Sequence, residues 1–114
     1  MAKDDYFVVI YYILNYLYEC LKKGIKPDEN ILYLKYYPSD INDSYLEYIY
    51  TNLLNDGYID DVDIVNIPRL GTKEHTKYLK DLKNIKITPK GIEYLQENSL
   101  MKKAYDIVKD FKPW

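Results

Sequence analysis

Two short stretches constrain the fold of this chain more than all the rest. They are Leu53-Leu54-Asn55-Asp56-Gly57-Tyr58-Ile59 and Ile85-Lys86-Ile87-Thr88-Pro89-Lys90-Gly91-Ile92. The first reads as the end of an amphipathic helix, with Gly57 leaving it in the left-handed conformation that a residue without Cβ adopts at no steric cost. A strand begins at Tyr58. The second reads as a strand running into a helix, with Thr88 as N-cap and Pro89 at the first helical position, where its missing N–H is no loss. Helix, glycine turn, strand, long loop, strand and capped helix follow one another in the order of a winged helix-turn-helix.

The remaining elements fit around these junctions. A first helix is expected from Asp4 to Lys23, closed by Gly24, with Asp4 and Asp5 at its positive end and Lys22 and Lys23 at its negative end. Ile10, Ile13, Leu14, Leu17 and Leu21 make its apolar stripe, and Phe7, Tyr11 and Tyr18 a second apolar set to one side. Such a helix is apolar around most of its girth, so it either sits centrally or meets a second chain. Lys26-Pro27-Asp28-Glu29 opens a short second helix to about Leu34, and Pro38 stops it. The third helix begins between Asn42 and Ser44, where Ser44 and Glu47 have the spacing of a capping box. Its core stripe is Leu46, Ile49, Tyr50, Leu53 and Leu54, which leaves Glu47, Tyr48, Thr51, Asn52 and Asn55 toward solvent.

Tyr58 to Ile67 reads as one strand ended by Pro68. Arg69 to Leu82 is too long for a tight turn; Thr72 is placed to cap a helical turn carrying Tyr78, Leu79 and Leu82 inward. Asn84 to Thr88 returns as a strand, Pro89 to about Glu97 is a fourth helix, and Ser99 caps a last one with Leu100, Ala104, Ile107, Val108 and Phe111 on one face. The expected architecture is α+β: a winged helix-turn-helix, mostly helical, with a small antiparallel β-hairpin wing and C-terminal helices. With 114 residues, no repeat and no linker, the expectation is a single domain over 1–114.

Ile87-Thr88-Pro89-Lys90-Gly91-Ile92-Glu93-Tyr94-Leu95, followed by Ser99-Leu100-Met101-Lys102-Lys103-Ala104-Tyr105, resembles the YjcQ family of small winged-helix proteins of Firmicutes and their prophages. Asp56-Gly57-Tyr58-Ile59 adds to the resemblance, which runs from about Tyr6 to Phe111. It implies a winged-helix fold and a DNA-binding role, and it assigns no activity to any residue.

The residues themselves speak against catalysis. His75 is the only histidine and sits among lysines, which disfavours a metal site. Cys20 is the only cysteine; it lies in the apolar first helix, where a thiol is ordinarily inert, and no intrachain disulfide is possible. Alternation along a strand puts Asp60 on the opposite face from Asp61 and Asp63, which weakens a metal site or an acid–base pair among them. Gly71 and Gly91 stand outside any phosphate-binding pattern. No enzyme, cofactor or metal is expected. The first residues carry no signal peptide, and the most apolar run, Tyr6 to Tyr18, is shorter than the ~20 residues that cross a bilayer. A cytoplasmic location follows.

Charge points to two functions. The net charge is −2, but residues 1–68 carry −7, residues 69–90 carry +5 and residues 91–114 carry none. The basic block falls on the expected wing. Arg69, Lys73, Lys77, Lys80 and Lys83 are the candidates for contact with a DNA backbone, which would be weak and nearly blind to sequence. On the third helix Tyr48 and Asn52 are the candidates for touching phosphate or bases, yet that helix offers no Lys or Arg, the commonest readers of guanine. The alternative is a protein-interaction module using tyrosine-rich surfaces, since fifteen tyrosines are far above expectation; AT-rich codon usage explains the same bias. A homodimer through the first and last helices is a further expectation. A positive strip joining wing and third helix favours DNA, and an exposed aromatic patch without one favours a protein partner.

Overall fold

The computed structural model describes residues 4–61, 64–68, 75–79, 82 and 84–98, with the backbone alone for 61, 64–68 and 75–79. Its elements are α1 (Tyr6–Lys23), α2 (Glu29–Leu32), α3 (Asp43–Asn55), β1 (Ile59–Asp61), β2 (Ile64–Pro68), β3 (His75–Leu79), β4 (Ile85–Ile87) and α4 (Pro89–Glu97). The fold is α+β, mostly helical with small antiparallel sheets.

α1 is the centre. Val8 to Leu14 form seven consecutive buried residues, and Tyr16, Leu17 and Cys20 continue the buried surface. A helix is hidden on all sides only when other elements surround it, and α3, α4 and β4 all pack on α1. The apolar girth from Val8 to Leu14 is therefore covered within one chain, while Phe7 and Leu21 toward the two ends stay exposed. The expected stripe holds at Ile10, Ile13, Leu14 and Leu17 but not at Leu21, which is 49% exposed in the last turn. The last helix expected from Ser99 lies outside the described residues.

Three helices end in the same way. After α1 the left-handed residue is Gly24, after α3 it is Gly57, and after α2 it is Leu34 with φ 60°. In each case the left-handed residue and the one after it donate backbone N–H groups to carbonyls of the last turn: Gly24 to Leu21 and Ile25 to Cys20, Gly57 to Leu54 and Tyr58 to Leu53, Leu34 to Ile31 and Lys35 to Asn30. This pattern satisfies the carbonyls that a helix end leaves unpaired. Leu34 adopts a conformation that costs an L-residue roughly 1–2 kcal/mol, and its side chain is buried, so core packing holds it there.

Two expectations of local structure are corrected. The N-cap of α3 is Asn42, whose Oδ1 accepts from Tyr45 N at 2.8 Å, in place of the Ser44–Glu47 box; Ser44 falls inside the helix. His75–Leu79 forms a strand where a helical turn was expected. β3 pairs antiparallel with β2, Ile64 opposite Leu79 and Pro68 opposite His75. Thr72 itself lies outside the described residues. The single strand expected over Tyr58–Ile67 is divided too: β1 pairs with β4, Ile59 opposite Ile87 and Asp61 opposite Ile85. Two residues separate β1 from β2 and five separate β3 from β4, so one unbroken register cannot run through both ladders.

The two stretches that dominated the sequence meet in space. The Thr88 hydroxyl donates to the Gly57 carbonyl, Thr88 N donates to the Tyr58 carbonyl at 3.0 Å, and Thr88 Oγ1 accepts from Gly91 N at 3.1 Å. One threonine thus joins the end of α3, the start of β1 and the first turn of α4. A Cβ at Gly91 would collide with the Tyr58 carbonyl oxygen and the Ile87 side chain, so glycine is required there by close approach.

Candidate functional site

The tyrosines divide by position. Tyr11, Tyr12, Tyr16, Tyr37 and Tyr50 are core residues. Their rings supply apolar area, and the hydroxyls of two of them tie down irregular backbone. Tyr16 Oη accepts from Asp28 N at 2.8 Å, which anchors the start of α2, and Tyr50 Oη donates to the Leu32 carbonyl at 2.6 Å, which anchors its end. Burial pushes the Tyr16 phenol up to about 12, against a lowering by the Asp28 backbone hydrogen bond, and holds Tyr50 well above its ordinary value. Much of the tyrosine excess is therefore structural.

A second group faces outward where α1 begins beside α3. Tyr6 packs edge-on against Phe7 at 5.2 Å and against Tyr48 at 5.9 Å between ring centroids. Phe7 is 50% and Tyr48 61% exposed, so two of the three rings present large apolar faces to solvent. Local sequence explains the placement: Asp5 caps α1 by accepting from Phe7 N, and Tyr45 Oη donates to the Asp4 carbonyl at 2.7 Å, clamping the start of α1 onto α3. The surroundings are acidic. Burial first, and the Asp56 carboxylate after it, pushes the Tyr6 phenol up; Tyr45 is raised by burial and then by Asp5 and Asp4. Glu47 lies exposed on the same helix as Tyr48, and α3 contains no Lys or Arg.

Of the residues proposed from sequence to touch DNA, Tyr48 is fully available, and Asn52 is half-buried on α3. β3 runs alongside α3, so the helix does not present its whole outer side. Arg69, Lys73, Lys80 and Lys83 lie outside the described residues, and Lys77 is placed only as a backbone position in β3, opposite Asn66. The structure brings Tyr48 together with Tyr6, which also packs on Phe7. Sequence reasoning missed Tyr6 and Phe7 as partners of Tyr48. The available signal was an aromatic pair at the N-terminus of a helix whose other aromatics fall on its buried side.

Cys20 is buried, and burial pushes its thiol up, consistent with an inert side chain. Among the described residues no group of three or more His, Cys, Asp or Glu side chains is gathered to hold a metal, and no helix is long and apolar enough to cross a membrane.

The fold and the patch define a small α+β protein with a central buried helix and an aromatic, acid-rimmed face. A family model described as YjcQ protein matches residues 11–114, and the chain belongs to the YjcQ family. No curated protein and no solved structure matches it.

Proposed function

We propose that this chain is a winged-helix module, non-enzymatic, that works by binding a protein partner through the aromatic face formed by Tyr6, Phe7 and Tyr48. One observation carries the reading: two large, exposed aromatic rings flank Tyr6, whose phenol feels the Asp56 carboxylate, and Tyr48 stands on a helix without a cation. Exposed aromatic clusters cost solvation free energy and are enriched where proteins meet, whereas a DNA-facing helix would meet phosphate with carboxylates. The single cysteine suits a cytoplasmic setting.

A pull-down with the full chain from a lysate of its native host tests this. The expected result is a discrete protein retained after nuclease treatment and lost with the Phe7→Ser/Tyr48→Ser double variant. Capture that disappears with nuclease and survives the double variant would overturn it.

The charge of residues 69–90 favours a second reading, in which Arg69, Lys73, Lys77, Lys80 and Lys83 rest on a duplex backbone as part of a regulator or prophage accessory protein. Binding would then be weak and indifferent to sequence. With about four phosphate contacts, from Lys73, Lys77, Lys80 and Lys83, log K would fall with log salt at a slope near −3.6, and Asn52→Ala would scarcely alter binding.

A further inference from the structure

The aromatic face where α1 begins has a chemistry beyond its apolar area. Tyr6 is flanked by two rings that stand steeply to it, Phe7 at an interplanar angle of 88° and Tyr48 at 69°. Both flanking rings leave much of their surface in solvent. The face of an aromatic ring is electron-rich and attracts a cation. This chain uses that attraction twice, with Lys22 Nζ 4.5 Å from the Tyr18 ring centroid and Lys90 Nζ 5.6 Å from that of Tyr58. Among the described residues, no cation stands over Phe7 or Tyr48.

Carboxylates surround these rings. Asp4 and Asp5 lie at the start of α1, Glu47 precedes Tyr48 on α3, and Asp56 is the C-cap of that helix. The charge of Asp56 is felt at the Tyr6 phenol, and the charges of Asp5 and Asp4 at the Tyr45 phenol, so these acids share one flank. Asp4 and Asp5 suit the positive end of α1. Asp56 stands at the negative end of α3, where a carboxylate is disfavoured, so helix stability does not account for it. Among the described residues, none of Asp4, Glu47 and Asp56 enters an ion pair, whereas Glu19 pairs with Lys22 and Lys23.

Cations on this flank are fewer. Lys90 is held over Tyr58, and Lys77 is a backbone position in β3, which runs beside α3. Counting both against the four carboxylates still leaves the face negative. Lys35 is matched by Asp40 and Asp43 around a hollow that all three line.

We propose that this face takes an arginine-bearing, basic segment of the partner protein, with a guanidinium stacked on the Tyr48 ring and its charge balanced by Glu47 and Asp56. The inference rests on the reading that the aromatic face binds a protein, and it adds the chemistry of what is bound. Arginine suits the site better than lysine, because a planar guanidinium stacks on a ring while its N–H groups pair with carboxylates.

The test selects random decapeptides, displayed on phage, against the full chain and measures the enriched peptide by fluorescence anisotropy. Arginine-containing peptides of net positive charge are expected. Their binding should weaken at least tenfold with Tyr48→Ser, and at least tenfold when citrulline, an uncharged isostere, replaces the arginine. It should weaken at least threefold with Glu47→Gln and with Asp56→Asn, which keep the shape of exposed side chains and remove their charge. Circular dichroism checks that each variant keeps its fold. Enrichment of acidic or uncharged peptides that are lost with Phe7→Ser/Tyr48→Ser would overturn the inference and leave the face a protein-binding site. No enrichment, basic peptides that bind the double variant undiminished, or binding indifferent to both Glu47→Gln and Asp56→Asn would each overturn it as well. Light scattering that shows a dimer broken by Tyr48→Ser would assign the face to a second copy instead. The reading beneath the inference fails separately, when nuclease abolishes capture from lysate.

Discussion

The two ends of α1 differ in every respect that matters for recognition. The N-terminal end presents flat aromatic rings, Phe7 and Tyr48, among Asp4, Asp5, Glu47 and Asp56. The C-terminal end presents aliphatic side chains, Leu21 and Ile25, with Lys22, Lys23 and Lys26 next to them in sequence. With 18 residues at 1.5 Å each, about 27 Å separates them. The sign of the charge at each end has a structural cause, since acids suit the positive end of a helix and lysines the negative end. The apolar surface beside those charges has no such cause: helix stability is indifferent to whether Phe7 or Leu21 is apolar where each is exposed. What the contrast teaches is that the charges alone are weak indicators of binding, and that the exposed apolar groups are the informative ones.

The comparison assumes that one rigid body holds both ends, and the most severe way to break it is Gly91→Ala. The new methyl would meet a backbone carbonyl that has no freedom to withdraw, and overpacking of this kind costs about 3 kcal/mol. Thermal denaturation should show a large fall in Tm, and binding at the aromatic face should fail with it. Gly57→Val strains the turn that Thr88 holds, for about 1–2 kcal/mol, because a β-branched side chain resists φ 79°. An unchanged melting curve for that variant would contradict the placement of the α3 terminus.

Alkali distinguishes the interior from the ends. Burial raises the phenols of Tyr16 and Tyr94 to about 12 and those of Tyr37 and Tyr50 in the same direction, which means the folded state prefers them neutral. Their stabilisation is complete below the ordinary tyrosine value of about 10 and is lost as pH rises through the folded values. Denaturant titrations should therefore give a flat midpoint from neutrality to about pH 10 and a steep decline from there toward pH 12. A midpoint insensitive to pH across that interval would show that these hydroxyls are not buried as described.

The smallest effects sharpen the contrast most. Phe7→Ser, Tyr48→Ser and Ile25→Lys change exposed side chains, and each should alter stability by no more than about 0.5 kcal/mol. If Phe7→Ser lowers Tm as much as Gly57→Val, the aromatic face is part of the core and its proposed role in binding loses its ground.

How much of this was legible in the sequence depends on whether a feature is settled by neighbouring residues. Gly24, Gly57 and the Thr88-Pro89 start were readable because a left-handed turn or an N-cap is decided within a few residues of itself. The cap of α3 was read two residues late, since Asn42 and Ser44 are both good caps and only the path of the incoming chain selects between them. β3 was mistaken for a helical turn because Lys77, Tyr78 and Leu79 have no strong periodicity, and their strand form depends on pairing with β2. The aromatic face was half visible: Tyr48 was placed toward solvent on helical spacing, but its meeting with Tyr6 and Phe7 joins residues some forty positions apart.

The amino-acid sequence by itself determined where α1 and α3 stop and α4 starts, that α1 is apolar around its girth, and that charge is negative before residue 69 and positive to residue 90. Those are consequences of local sterics, hydrogen bonding and composition. Tertiary structure alone decided that α1 is enclosed by its own chain, that Leu34 is held left-handed, and that Thr88 binds the turn at Gly57. It also decided that the end of α1 and strand β4 line one groove. Each of these depends on which distant residues arrive beside it, and long-range packing chooses among conformations that local preferences leave within a kcal/mol or so of one another.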